Sequence, residues 1–317
     1  MKKENKEPPE LEKTEDNKTL IINNHKVPLS NLSKLYWPDE KITKGAMIEY
    51  YETMAKVILP YLKNRPLSLK RNPNGILDEG FFQKDAGEHT PSWVKKVNVQ
   101  SGSEDKIIHY IMCNDKASLL YIANLGCIEM NPWNSVLPKI DSPTYMIIDI
   151  DPSDKNTFDQ VIETAQVVKE ILDKAGAESY CKTSGATGLH VFVPMGGKYT
   201  YEQVKNFAYL VAQLTVEQLP VFTSIERSLS KRGDNIYVDF LQNRKGQTLA
   251  CAYSIRPKPG ATVSAPLQWK EVKKGLHPSQ FTLKNMKSRL EKAGDIFLPV
   301  LQKGIDLKKS LKLLEEK

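Results

Sequence analysis

Two aspartates, one residue apart, interrupt the otherwise aliphatic segment YMIIDIDPSD at residues 145–154. The apolar residues favour a strand, and residues i and i+2 of a strand point to the same face. Asp149 and Asp151 would therefore lie side by side. Such carboxylates can bind hard divalent cations such as Mg²⁺ and Mn²⁺, because these ions prefer oxygen ligands. Acidic residues also simply end strands, so the pair alone leaves both interpretations open.

A third carboxylate, Asp239, lies in the apolar run NIYVDFL. A carboxylate in a buried strand is costly unless it is paired or bound to a metal. Three carboxylates on neighbouring strands could hold two cations, which together can activate a primer hydroxyl and stabilise a departing pyrophosphate. The alternative is a structural aspartate that accepts backbone hydrogen bonds.

A glycine-containing turn, TSGATGLHV at residues 183–191, could contact a phosphate. Its glycines let backbone amides approach closely, its hydroxyls can donate hydrogen bonds, and a histidine stands at the start of the next strand. A plain turn followed by a core histidine is the simpler alternative. The candidate contacts are Ser184, Gly185, Thr187, Gly188 and His190.

Two arginines could complete a site for a triphosphate, which needs several cations around it. Arg232 lies seven residues before Asp239, and Arg256 follows in YSIRPKPG. Solvated surface arginines are the commoner case.

The elements that must position these residues alternate between strands and amphipathic helices. Strands are predicted at the segments quoted above, and helices are predicted after Thr43, over 156–176 and over 201–219. A lysine-rich helical region is predicted over 282–316. This order predicts an α+β (mixed α/β) fold. Residues 1–18, almost all polar, are predicted to form a disordered charged tail.

Composition fits a soluble globular protein of 317 residues, 40% of them hydrophobic. No apolar stretch approaches the length of a membrane span, and the N-terminus lacks the apolar core of a signal peptide, so a cytoplasmic protein without a membrane partner is expected. The formal net charge of +7 permits a polyanionic partner. The four cysteines have no zinc-site spacing and are interpreted as reduced packing residues.

The motifs, in order, resemble those of the archaeo-eukaryotic primase superfamily: a strand ending in DID, then SGxxGLH, then an apolar strand with one aspartate. The segments NLSKLYWPDEKITKG, RPLSLKRNPNG, FFQKDA and AYSIRPKPGATVSAPLQW are similar to the polymerase domain of bacterial ligase D. The resemblance spans 28–275. It implies a primase-polymerase fold, with a central mixed or antiparallel sheet that carries the carboxylates and is flanked by helices, in one catalytic domain over 19–317.

The resemblance also implies roles for individual residues. Asp149, Asp151 and Asp239 would be the catalytic metal ligands for two ions, Mn²⁺ or Mg²⁺. Phe81 and Phe82 match an aromatic pair that stacks at the template. The matching nucleotide contacts are Ser184, Gly185, Thr187, Gly188, His190, Arg232, Gln242 and Arg256. Lys34 and Lys44 match the pair that recognises a 5′-phosphate, and Lys70 and Arg71 are predicted to contact DNA as well.

Two positions depart from the family pattern. Many relatives have lysine where this chain has Thr187, and relatives often have histidine near Asn131. The chain also contains no KxDG nucleotidyl-ligase motif. Either a stand-alone polymerase or a domain of a longer protein is therefore expected.

The resemblance implies an enzyme, a template-directed nucleotidyltransferase that fills gaps and extends ends at double-strand breaks in non-homologous end joining. Its substrates would be NTPs or dNTPs, with ribonucleotides preferred, and DNA with a break, gap or 3′ overhang and a downstream 5′-phosphate. Ku and a DNA ligase are expected partners. A stand-alone primase and a non-catalytic DNA-end binding module are the alternatives. A metal-dependent glycosyltransferase, which also uses DxD, fits the strand-embedded third aspartate less well.

Overall fold

The computed structural model describes residues 16–100 and 106–316. The chain divides into two compact units. The first unit ends at Pro132 and includes a later segment, Ser254–Ala261. The second contains Trp133–Tyr253 and the chain from Thr262 onward. The expected single catalytic domain over 19–317 stays a prediction.

The first unit consists of small antiparallel sheets around two helices. Three strands form one sheet in the order β6-β5-β9, and three hairpin-like pairs, β1-β2, β3-β4 and β7-β8, complete the unit. Its elements are β1 (Lys18–Ile22), β2 (His25–Leu29), β3 (Leu35–Trp37), β4 (Ile42–Thr43), α1 (Lys44–Leu62), β5 (Leu67–Arg71), β6 (Phe81–Gln83), β7 (Lys96–Gln100), β8 (Ile107–Ile111), α2 (Lys116–Asn124) and β9 (Cys127–Pro132).

Helix α1 begins where the sequence predicted it. The Thr43 hydroxyl caps the helix by accepting a hydrogen bond from the backbone N–H of Ala46, at 3.1 Å. Met47, Tyr51 and Met54 repeat at helical spacing and are completely buried. The Tyr51 hydroxyl donates to a carbonyl of β9 and accepts from the backbone of the 254–261 segment. The helix therefore ties that late segment to the first unit.

Most of the predicted tail, residues 1–15, lies outside the described residues. Its last three residues belong to the fold. Asp16 accepts hydrogen bonds from both the backbone N–H and the hydroxyl of Ser33, each at 2.7 Å. Lys18 is the first residue of β1, so the polar residues Asp16 to Lys18 belong to the fold and not to the predicted tail.

The second unit is built on one six-stranded sheet with helices packed against it. Its elements are β10 (Tyr145–Asp151), α3 (Phe158–Lys174), β11 (Tyr180–Thr183), β12 (Leu189–Pro194), α4 (Tyr201–Gln218), β13 (Thr223–Ser224), α5 (Leu229–Arg232), β14 (Ile236–Asp239), β15 (Pro266–Leu267), α6 (Met286–Ala293) and α7 (Leu307–Glu315).

The sheet has the strand order β13-β14-β10-β12-β11-β15, in which only the β13-β14 pair is parallel. The mixed sheet, with α3 in contact with β10 and β12 and α4 in contact with β10 and β14, confirms the predicted fold class. Strand β10 lies in the middle, and its Ile148 and Ile150 are completely buried. Because side chains alternate, Asp149 and Asp151 occupy the opposite face.

The helices follow the sequence pattern except near the C-terminus. Thr157 and Gln160 form a capping box at the start of α3, and Gly176 follows its end at φ 61°. The predicted helical region 282–316 is instead α6, a 3-10 turn and α7, because the chain breaks at Gly294 (φ 68°). Gly304 then passes so close to the backbone of Met195 that a Cβ would come within 2.1 Å.

The four cysteines are buried within the fold. Across the described residues, no helix is both long and apolar enough to cross a bilayer.

The amide of Asn243 extends the sheet at a critical point. After Asp239 the chain leaves β14 and turns into a 3-10 helix, Leu241–Asn243. The fully buried Asn243 side chain accepts from the Ile147 N–H at 2.8 Å and donates to the Ile147 carbonyl at 2.6 Å. The Asn243 side chain therefore takes the place that a longer β14 would occupy beside Ile147 of β10, two residues before Asp149.

We predict that Asn243→Ala lowers the free energy of unfolding by about 2–4 kcal/mol, because both backbone groups of Ile147 lose their partner inside the protein. Urea unfolding measures this loss. The matched control is Asn206→Ala on α4, an exposed asparagine whose replacement should change stability by less than about 0.5 kcal/mol. Equal effects of the two substitutions would contradict the role assigned to Asn243.

Candidate functional site

Four polar residues lie directly opposite one another on four adjacent strands of the six-stranded sheet. Lys182 on β11 pairs with His190 on β12, His190 pairs with Asp149 on β10, and Asp149 pairs with Asp239 on β14. We call these four residues the charged rung. Directly opposite residues of an antiparallel pair point to the same face, so the rung forms one line of side chains across the sheet.

At the buried end of the charged rung, neighbouring side chains contact each other directly. Lys182 is completely buried and its ammonium lies 2.7 Å from His190 Nδ1. The other ring nitrogen, Nε2, lies 3.3 Å from Asp149 Oδ1. Asp149 is more accessible, with 15% of its side chain exposed. The rung therefore runs from a sealed interior toward solvent, where a substrate could reach the carboxylates.

Asp239 and Asp151 complete the acidic group. Asp239 Oδ1 accepts from the backbone N–H of Leu241 at 2.6 Å, and Oδ2 accepts from the Gln242 side chain at 3.2 Å. Asp151, one step further along β10, pairs with Tyr237 of β14. All three predicted metal ligands therefore come from two adjacent strands and share one face.

The surroundings of Asp239 and Asp151 disfavour the charged forms of both carboxylates. Burial raises the pKa of Asp239, and the neighbouring Asp151 carboxylate adds to the rise, together outweighing the hydrogen bond from Leu241. Desolvation of its carboxylate also raises the pKa of Asp151, although the residue as a whole is exposed at the strand end; Arg232 opposes this rise. A divalent cation between the acids would reverse both effects.

The donor chemistry of the three carboxylates fits hard divalent cations, which take carboxylate oxygen. Among residues 16–100 and 106–316, however, no three His, Cys, Asp or Glu side chains are arranged so that they could hold a metal ion. Asp149 instead contacts His190, and Asp239 is held by Leu241 and Gln242. The three carboxylates thus match divalent cations by donor type and lie on one sheet face, but their side chains as placed do not form a metal site.

The predicted phosphate turn joins β11 to β12 beside the rung. The Ser184 hydroxyl oxygen accepts from the backbone N–H groups of Ala186 and Gly188, both at 3.0 Å, so it holds the turn closed. Gly185 has φ 72°, and a Cβ on Gly188 would come within 2.0 Å of the Ile150 carbonyl oxygen. Both glycines are therefore required by the backbone itself.

Thr187 is the exposed residue of this turn. Its side chain offers a hydroxyl, which carries no charge. The turn thus presents a neutral donor at its outer edge, with His190 buried behind it.

Arg232 lies close enough to Asp151 to affect its pKa, and its guanidinium stacks over the Tyr237 ring at 4.7 Å. Its buried Nε finds no hydrogen-bond acceptor among the described residues. Gln242, predicted from the resemblance alone, contacts Asp239. The structure therefore brings all the predicted nucleotide contacts of the second unit to the sheet end that carries the rung.

Arg256, also predicted to contact the nucleotide, belongs to the first unit. Its Nε donates to Glu129 Oε2 at 2.6 Å, and Glu129 is buried on β9. Asn131 is buried two residues further along the same strand. The ion pair fixes the direction of the Arg256 side chain without removing its charge from the surface.

The two lysines predicted to bind a 5′-phosphate lie together in the first unit. The Lys44 backbone N–H donates to the Lys34 carbonyl at 2.8 Å, and Lys44 is the first residue of α1. The Lys44 ammonium donates to the Ser30 carbonyl at 2.7 Å, and Lys34 donates to the Asn74 side chain. Burial lowers the pKa of Lys44 to about 8, and repulsion from Lys34 contributes.

The predicted aromatic pair is exposed beside two cations. Phe81 and Phe82 on β6 are 48% and 58% exposed and lie opposite Arg71 and Lys70 of β5. The Lys70 ammonium is 5.0 Å from the Phe82 ring centre, and the Arg71 guanidinium is 5.3 Å from that of Phe81. Exposed rings flanked by cations are suited to bases and phosphates.

Sequence reasoning missed three residues of the second unit's site: Lys182, Tyr237 and Asn243. Lys182 stands two residues before Ser184 in a strand-like segment, so it was visible as a lysine on the same strand face. Its pairing with His190 depends on hairpin register, which the sequence alone does not specify.

The fold and the charged rung define a primase-polymerase domain. A family model described as "LigD, primase-polymerase domain" matches residues 43–297. The chain belongs to this family. The polymerase domain of Mycobacterium tuberculosis ligase D, solved in complex with DNA, superposes with a TM-score of 0.81 at 26% sequence identity, covering 87% of this chain and 98% of that one.

The similar curated proteins are longer. The bifunctional non-homologous end joining protein LigD of Bacillus subtilis is 32% identical over 271 residues, which cover 85% of this chain and 43% of that protein. The multifunctional LigD protein of Pseudomonas aeruginosa is 29% identical over 270 residues, 85% of this chain and 32% of that protein. The chain thus spans less than half the length of either relative.

Proposed function

We propose that the chain is a template-directed nucleotidyltransferase that adds nucleotides to a primer 3′-hydroxyl at DNA breaks and gaps. The observation that carries the proposal is the charged rung, which sets Asp149 opposite Asp239 on adjacent strands beside a glycine-containing phosphate turn. Acids with raised pKa values beside such a turn are typical of functional sites.

The residues of the second unit would have different roles in this reaction. Asp149, Asp151 and Asp239 would hold two divalent ions, Mn²⁺ or Mg²⁺, which when bound activate the primer hydroxyl and neutralise charge on the leaving pyrophosphate. Arg232 and the exposed hydroxyl of Thr187 would bind the triphosphate oxygens. His190 would donate from Nε2 to the nucleotide or to Asp149. Ser184 keeps the turn in shape for this contact.

The residues of the first unit would bind the DNA. Phe81 and Phe82 provide exposed faces on which template bases could stack, each worth about 1–3 kcal/mol, and Lys70 and Arg71 bring positive charge beside them. Lys34 and Lys44 would hold the 5′-phosphate of the strand downstream of a gap. The N-terminus of α1, where Lys44 stands, adds its partial positive charge.

The proposed cellular process is repair of double-strand breaks by non-homologous end joining, with ribonucleotides preferred over deoxyribonucleotides. Support comes from family membership and from the names of the longer relatives, which are end-joining proteins. A Ku-like protein and a DNA ligase are the proposed partners.

The activity is tested on a gapped DNA carrying a downstream 5′-phosphate, with labelled nucleotide and Mn²⁺. We expect template-dependent extension, and we expect Asp149→Ala and Asp239→Ala to reduce it by at least about a hundredfold because each removes a metal ligand. Asp173→Ala, an exposed aspartate on α3, is the matched control and should extend at the native rate. Native extension by the Asp149 and Asp239 variants would refute the proposal.

The same assay separates the alternatives. Synthesis on unprimed single strands, insensitive to the 5′-phosphate, would identify a primase instead. Binding of phosphorylated ends without extension under any divalent metal would identify an end-binding module.

The 5′-phosphate site has a pH dependence that follows from Lys44. Because the pKa of Lys44 is about 8, raising the pH from 7 to 9 removes its proton and should reduce the affinity advantage of a 5′-phosphorylated gap by up to about tenfold. Fluorescence anisotropy on phosphorylated and unphosphorylated gaps measures the ratio. Lys44→Arg keeps its charge at pH 9 and should keep the preference.

The double variant Lys34→Ala/Lys44→Ala should lose the preference at every pH while metal-dependent extension remains measurable. Lys56→Ala, an exposed lysine on α1, is the control. Equal weakening of both gaps in the double variant would mean general electrostatic attraction rather than a phosphate pocket.

A further inference from the structure

Lys182 is a buried cation to which the mechanism above gives no role. Its side chain is completely enclosed, and three acceptors surround the ammonium: the Ala250 carbonyl at 2.9 Å, Ser264 Oγ at 2.6 Å and His190 Nδ1 at 2.7 Å. Ser264 donates its own proton to the Thr183 carbonyl at 2.9 Å, so its oxygen is available to accept from Lys182. A lysine ammonium has three N–H donors, which matches this arrangement.

The two neighbours of His190 determine where its proton lies. A carboxylate only accepts hydrogen bonds, so the contact between Asp149 Oδ1 and Nε2 requires a proton on Nε2. Nδ1 then either accepts from a charged Lys182 or, in an imidazolium, donates to a neutral one. Two N–H groups of the ammonium point to the Ala250 carbonyl and to Ser264 Oγ, and Nδ1 accepts the third. The Phe192 ring, 5.5 Å from the ammonium, adds a favourable cation-π contact.

We propose that Lys182 is a positioning residue that fixes His190 as an Nε2–H donor facing the catalytic carboxylates. This assignment deepens the proposed function and rests on it for the identity of the substrate. With Nδ1 engaged by Lys182 and Nε2 protonated, His190 has no free lone pair and does not act as a general base. When a cation occupies Asp149, the Nε2–H group is available to a triphosphate oxygen of the incoming nucleotide.

Register makes the arrangement possible. Lys182, His190 and Asp149 are directly opposite one another on β11, β12 and β10, so their side chains share one face. The turn held by Ser184 sets the pairing of β11 with β12. Shifting that pairing by one residue would move Lys182 or His190 to the other face of the sheet. The contacts from Lys182 through His190 to Asp149 would then be lost.

The tautomer is measured directly by ¹⁵N NMR of the full chain labelled at histidine, at pH 8 without metal or nucleotide. The chain has five histidines, and the signals that disappear in His190→Gln identify this one. We expect a protonated Nε2 and an unprotonated Nδ1. A protonated Nδ1, or averaging between the two tautomers, would overturn the proposal. This measurement needs no variant at Lys182 and no catalytic activity.

Variants test whether Lys182 is the cause. Lys182→Met keeps the length of the side chain and removes the donor, so the fixed tautomer should be lost. Ser264→Ala removes one acceptor but leaves the contact with His190, and should keep the signature. Lys205→Met, a lysine paired with Glu202 at the surface of α4, should also keep it. An unchanged His190 spectrum in a folded Lys182→Met protein would overturn the proposal.

A double-mutant cycle connects the contact to catalysis. We expect Lys182→Met to lower turnover on gapped DNA by about tenfold to a hundredfold, as for residues that orient metal-site groups elsewhere. Because Lys182 acts through His190, Lys182→Met/His190→Gln should lose no more than the worse single variant. Additive losses would contradict the assignment.

The experiments distinguish failure of the Lys182 assignment from failure of the proposed polymerase function. The predicted tautomer in a protein without polymerase activity would leave the Lys182 assignment standing and refute the function. An active protein with the wrong tautomer would do the reverse.

Discussion

Two carboxylates held directly opposite each other on adjacent strands form the constraint on which the second unit depends. Like charges in this position are destabilising, and burial adds to the cost. The protein offsets it with the Lys182–His190 pair on one side of Asp149 and with the Leu241 N–H and Gln242 on Asp239. Divalent cations bound by the two acids, as proposed, would relieve the remaining cost. Strand β10 lies inside the sheet, and the Asn243 side chain bonds to both backbone groups of Ile147 on β10. These two features keep β10 and β14 from separating.

Much of this could be predicted from the sequence, because the relevant patterns are local. The DID spacing places two acids on one strand face, apolar periodicity predicts α3, and the glycines of SGATG predict a turn. What could not be predicted depends on pairing between distant segments. Strand register decides that Lys182 meets His190, and a side chain in place of a strand residue, as at Asn243, leaves no periodic signal.

The two units offer different chemical groups for binding. The first offers exposed aromatic rings beside cations and a lysine pair at a helix N-terminus, which suit a polyanion with accessible bases. The second concentrates negative charge on one sheet face and lines it with a backbone turn and Arg232. A nucleotidyltransferase needs both sets of groups. Its cations must attract the negatively charged nucleic acid, and its acids must bind metal ions in competition with the phosphates of that nucleic acid. Segment Ser254–Ala261 carries Arg256 into the first unit, where Glu129 orients it.

The central claim is that the carboxylate end of the charged rung binds the catalytic metals and the nucleotide. It is tested most directly by a crystal structure of the chain with Mn²⁺ and a non-hydrolysable nucleoside triphosphate, with the metal located by its anomalous scattering. The account predicts Mn²⁺ bound by Asp149, Asp151 and Asp239, with the triphosphate against the turn from Ser184 to Gly188. Mn²⁺ and nucleotide bound elsewhere, with the three aspartates keeping their protein hydrogen bonds, would contradict it.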